Sequence, residues 1–383
     1  MQNFKSIETL RAYMAWWVVL GHAIILTGLN TYIPQRLTRV LMAGDIAVDV
    51  FIIVSGFVIT NLMLAKKEPY LPYIVRRAFR IYPIYLLCMV IGILTTSFYV
   101  AAYTGNTWTL NEDLRVARVA AQTESFWPHL GLHLTLLHGM VPENVMPFAG
   151  TAFLGPAWSL SLEWQFYLVA PILIGLLSGR PIVMLTTALA ALVVHVAFTS
   201  GKLGVWLYKP FLPLAIEYFI LGILSRLALD YRQISKIPLE LFLVVVGISA
   251  VFVDPRAVLI WSVFFLAVLF EAGRIAPASK PVAFLMNVFI FNGRLAEIGK
   301  WSYSTYLIHI PLFCVVVGGA NMLFGQRSQI EYVLLVSVCF PLTLVASKFL
   351  FDNIETPFNK RGRAVADKLS RPAPPADGQF VEP

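Results

Sequence analysis

The sequence predicts an all-α, polytopic integral membrane protein with about ten transmembrane helices, built as one membrane domain over residues 1–358. Three observations carry that expectation. Of 383 residues, 58% are hydrophobic and only 13% charged, with a mean hydropathy of +0.74; a soluble domain could not cover so much apolar surface. Apolar windows long enough to cross hydrocarbon recur along the chain. Lys and Arg are also spread unevenly between alternate loops.

The windows fall at about 8–28, 44–64, 81–101, 158–177, 181–198, 211–229, 238–253, 257–271, 301–319 and 331–351. The seventh and eighth are short and share one turn at "VDPRA". With both termini cytoplasmic, nineteen Lys and Arg residues lie inside and eight outside, the bias expected for that orientation. No small-residue cleavage site follows the first helix, which reads as a retained anchor. The net charge of +8 therefore reports topology and attraction to anionic lipid headgroups, not nucleic acid. Cys88, Cys314 and Cys339 fall in apolar helices and imply no disulfide framework.

The outer connection, about 102–157, is long enough to expect a folded, functional segment. The inner connection 272–300 carries "FLMNVFIF", which suits a short helix in the membrane interface. Residues 359–383 are basic, then rich in Pro and Ala, and are expected to be a disordered cytoplasmic tail.

Within the first helix, "RAYMAWWVVLGH" sets Arg11 and His22 eleven residues apart. At helical spacing they share a face, roughly 16 Å apart along the axis. Both carry a desolvation cost in a membrane, so a functional role is expected. His22 reads either as an interhelical hydrogen-bonding group or as a general base. "YIVRRAFRIYPIY" places Arg76, Arg77 and Arg80 in the inner loop just before the third helix. Three arginines there are either an ordinary positive-inside anchor or a phosphate site.

The second helix opens from the outside with "GDIAVDVFIIVSGF". A helix-start carboxylate explains Asp45 through the dipole, whereas Asp49 lies about a turn into the apolar region. Ser55 and Gly56 suit close helix packing or a narrow ligand passage. The fourth helix opens with "GPAWSLSLEWQFYLVAP". Counted from the outer face, Glu163 lies at a depth comparable with His22, which suggests a base and its orienting carboxylate. Ser302, Tyr303, Tyr306 and His309 in "GKWSYSTYLIHIPLF" read mainly as polar glue between helices. His129, His133 and His138 in the outer connection lack a convincing third ligand, so no metal is expected.

Taken in order, "IETLRAYMAWWVVLGH", "DVFIIVSGFVIT", "RRAFRIYPIY", "WSLSLEWQFYLVAPIL" and "GKWSYSTYLIHIPL" resemble the blocks of the acyltransferase-3 family of membrane O-acyltransferases. The likeness covers about residues 5–358. It implies a catalytic His22 with Glu163, and a donor site for acetyl-CoA or another acyl-CoA at Arg11, Arg76, Arg77 and Arg80. It also implies acceptor binding near Asp45, Asp49, Trp158 and Ser159. The implied acceptor is a carbohydrate or lipid-linked glycan hydroxyl, the setting a bacterial inner membrane with its lipids, and the chemistry metal-free. Glu8, Ala47 and Trp164 depart from the family's usual Asp, Gly and Glu. Some members carry an extra outer esterase-like domain; here transfer is expected to finish within the membrane domain. The rival expectation is a secondary transporter of a small anionic solute, which would show inverted repeats or paired broken helices.

Overall fold

The computed structural model describes residues 4–230, 238–276 and 279–370, and among them every regular element is a helix. The first helix, α1, runs Lys5–Thr27 and stops at Gly28, whose φ of 66° lets its N–H cap the Ile24 carbonyl. A short α2, Gln35–Leu41, leads into α3, Gly44–Ala65. Then come α4, Tyr70–Leu94, and α5, Thr96–Tyr103, which break at Thr95. The outer connection folds into α6, Glu112–Glu124, and α7, Phe126–Thr135. Next are α8, Trp158–Leu177, α9, Pro181–Thr199, and α10, Ile216–Leu229. The last third holds α11, Leu239–Val251, α12, Pro255–Glu271, α13, Lys280–Phe289, and α14, Gly293–Lys300. It closes with α15, Ser302–Phe324, α16, Gln329–Leu350, a π-helical turn Phe351–Glu355, and α17, Thr356–Leu369.

Eight helical segments among the described residues are long and apolar enough to cross a membrane. The all-α polytopic expectation holds, with adjustments. Helices α10, α11 and α12 have 14, 13 and 17 residues, below the roughly 20 that a full span needs. In exchange, Lys280–Lys300 joins the set. Its first half buries no residue and exposes Phe284 and Phe289.

Two expectations need correction. The third span starts at Tyr70 instead of about 81, because Pro69 and Pro72 suit a helix start and the arginines that follow find acidic partners. Arg76, Arg77 and Arg80 are therefore inside a helix, not in a loop before one. The stretch 359–369 is helical and lies along α4, where Gly362 lets the backbone of α17 approach Phe79; residues 371–383 lie outside the described set.

Helices α3 and α10 make the closest approach that positions the site. A Cβ on Gly56 would stand 2.3 Å from the Phe219 carbonyl oxygen, and one on Gly222 would stand 2.0 Å from that of Ile53. Close packing is thus the role of Gly56, as small residues allow where membrane helices cross. The core falls into two apolar clusters. The larger includes Val18, Tyr306, Leu307 and Ile308, and the smaller includes Val19, Ile310 and Phe313. On α15 the seam between them falls at His309.

Candidate active site

A cavity opens among α1, α3, α4, α8 and α15. Arg11 enters from α1, Ser55 from α3, and Arg77 and Arg80 from α4. Ser159, Glu163 and Tyr167 come from α8, and Ser302, Tyr303 and Tyr306 from α15. Arg77 and Arg80 are three residues apart and so share the helix face turned to the cavity.

Each cation has a different partner. Arg11 pairs with Glu8 one turn away at 3.2 Å. Arg80 pairs with Glu355, a carboxylate with no exposed side-chain surface, and stands 5.5 Å from the Tyr303 ring. Arg77 lies 5.7 Å from the Tyr167 ring, makes no ion pair among the described residues, and has a buried Nε without a hydrogen-bond partner. Arg76 points elsewhere, held by Glu68 at 3.0 Å and Asp367 at 2.7 Å. The structure therefore separates Arg76 from the other two arginines.

Glu163 accepts from the Tyr167 hydroxyl and, at 3.4 Å, from Ser55 Oγ. It does not touch His22, so the expected pairing of base and orienting carboxylate is absent. The depth count fails for a physical reason. Ala149, Ala152, Leu154 and Ala157 are buried, so α8 begins inside the protein and carries Glu163 down among the arginines. His22 Nδ1 instead meets the Val18 carbonyl at 3.0 Å. Its ring centroid is 5.1 Å from that of His309.

The outer-side candidates divide as well. Ser159 lines the cavity and bonds the Tyr306 hydroxyl at 3.0 Å. Trp158 stacks on Tyr208 at 5.4 Å and does not line it. Asp49 is 2% exposed and is gripped by Lys209 at 2.6 and 2.7 Å, with Tyr218 completing the cluster. Neither Asp49 nor Asp45 lines the cavity. In the outer connection the His133 and His138 rings stack at 3.8 Å. They bond the Ala149 and Ala157 carbonyls, and His133 also meets the Tyr85 hydroxyl. Burial pushes His138 down to about 3 and His133 well below its ordinary value. These imidazoles clamp the connection in their neutral form.

Sequence reasoning missed Glu355, Tyr167 and Lys209. A carboxylate just after the last apolar run, "DNIETP", was the available signal for the first.

The family model described as an acyltransferase domain matches residues 4–350. The chain belongs to the acyltransferase-3 family. It is therefore a membrane acyltransferase, whose cavity brings together three of the basic residues from the family's blocks. The acyltransferase MdmB of Streptomyces mycarofaciens is 26% identical, over 85% of this chain and 83% of that protein. The O-acetyltransferase OatA of Staphylococcus aureus is 25% identical over 93% of this chain. The peptidoglycan O-acetyltransferase OatA of Listeria monocytogenes is 24% identical over 83%. The match spans only 57% and 52% of those two longer relatives. No solved structure matches the chain.

Proposed function

We propose that this acyltransferase moves an acyl group, acetyl in the first instance, from cytoplasmic acyl-CoA to a hydroxyl of a carbohydrate or lipid-linked glycan at the outer face. The setting is a bacterial inner membrane with both termini cytoplasmic. The observation that supports this reading most is Arg77. A guanidinium without an anionic partner among the described residues, beside Arg80 and Arg11 in a lined cavity, suits a donor's phosphates, which arginine forks bind well. The length of a pantetheine arm suits the rise from Arg11 to His22. A thioester would then lie near Ser159 and Tyr306, past which His309 and His22 follow. The name of the Listeria relative supports a glycan as acceptor class.

In this reading His22 Nε2 takes the proton of the acceptor hydroxyl. A backbone carbonyl can only accept, so the Val18 contact puts the proton of the neutral ring on Nδ1 and leaves Nε2 its lone pair. Glu163 fixes the Tyr167 and Ser55 hydroxyls and offsets the charge of the arginines. The test is calorimetric binding of acetyl-CoA beside turnover on purified protein. His22→Gln should keep donor affinity and lose roughly 10²–10⁴ in turnover, the usual worth of a general base. Glu163→Gln should lose less. Loss of donor binding in His22→Gln would place the donor the other way up.

A further inference from the structure

His309 is fully buried, and its Nδ1 meets the Thr305 carbonyl at 3.1 Å. This is the arrangement His22 makes with Val18 on the facing helix. Each neutral ring therefore carries its proton on Nδ1 and presents a bare Nε2. The His309 Nε2 is buried without a hydrogen-bond partner. Buried polar atoms are nearly always given a hydrogen-bond partner, and a purely structural histidine would be expected to have one at this nitrogen.

The order of groups along the site matters. Tyr306 lines the cavity, and its ring centroid is 6.3 Å from that of His309; the His309 centroid is in turn 5.1 Å from that of His22. Thus His309 is within ring-contact distance of both a residue of the cavity wall and His22. The charged groups that act on His22 are Arg115 and Arg118 of the outer connection, and among the described residues no carboxylate bonds either ring. Two unprotonated Nε2 atoms repel weakly, whereas one added proton converts the pair into donor and acceptor. A second proton would set two like charges about 5 Å apart beside two guanidinium groups.

We infer that His22 and His309 form a one-proton relay, with His309 carrying the acceptor's proton back to the departing thiolate. The inference rests on the reading of His22 as base and of the donor as an acyl thioester. The acceptor oxygen bonds to the acyl carbon as its proton passes to His22 Nε2. The C–S bond then breaks, the sulfur leaving with its electron pair. The proton crosses to His309 and on to that thiolate, releasing the free thiol and restoring two neutral rings.

The probe is acetyl-CoA, and the readout is thiol release by the full-length purified protein in mixtures of H₂O and D₂O. The wild-type rate should fall with deuterium fraction, because one proton is passed from ring to ring. His309→Gln should lower kcat by about 10²-fold, the low end for an acid–base group, keep KM for acetyl-CoA, and change the size of that solvent isotope effect. His309→Asn is the second variant should the first misfold. A wild-type rate that does not respond to deuterium overturns the relay, as does a His309 variant with wild-type kcat or an unchanged isotope effect. Retention of turnover by His22→Gln would instead overturn the reading of the base itself.

Discussion

The three arginines that look equivalent in "RRAFR" should part company when each is replaced by Gln. Arg77 faces the cavity with no carboxylate of its own among the described residues, so Arg77→Gln removes charge-assisted bonds from the donor and costs the fold little. Such bonds contribute about 1.5–3 kcal/mol, which converts to roughly 10- to 150-fold in donor affinity at 1.4 kcal/mol per decade. Arg76 is outside the cavity and its side chain is 12% exposed, against 5% for Glu68. Arg76→Gln should leave donor affinity unchanged and lower the melting temperature, because the Glu68 carboxylate loses its near partner. Titration calorimetry with CoA and thermal melts on the same preparations separate the two. If Arg76→Gln weakens CoA as much as Arg77→Gln, or if neither does, the division of this helix into a donor face and a structural face is wrong.

Asp49→Asn should destabilise by about 2 kcal/mol, less than a fully buried pair would give because Lys209 is a third exposed; adding Lys209→Gln should recover part of the loss in thermal melts. His133 and His138 are held below their ordinary pKa, so the unfolded connection binds protons that the folded one refuses. Stability of that segment should be full above about pH 6.5 and fall as the pH drops toward about 3, seen as faster amide exchange in 126–138. For topology, cysteines at exposed Gln35 and Lys67 are the useful pair, since the native cysteines are buried. Gln35→Cys should label from outside intact cells and Lys67→Cys only after permeabilisation, and reversed labelling would invert the orientation.

The sequence by itself determined what depends on local order. Hydrophobic windows set the fold class, and helical periodicity put Arg11 and His22 on one face; it also put Arg76 with Arg80 and Arg77 beside them, a grouping that the structure divides by sending Arg76 to Glu68 and Asp367. The resemblance, carried by five short blocks, named the family that the match over residues 4–350 then showed. What only the tertiary structure decided was the choice of partner. Glu163 was expected to meet His22 and instead meets Tyr167 and Ser55. Asp49 found Lys209, 160 residues away, and Arg80 found Glu355. His309, read as glue, turned out to be the imidazole beside His22. In a low-dielectric interior each charge must find a partner, and the sequence announces that need. Which partner answers depends on the depth and rotation of one helix against another. A buried helix start such as that of α8 shifts that depth without changing its hydropathy.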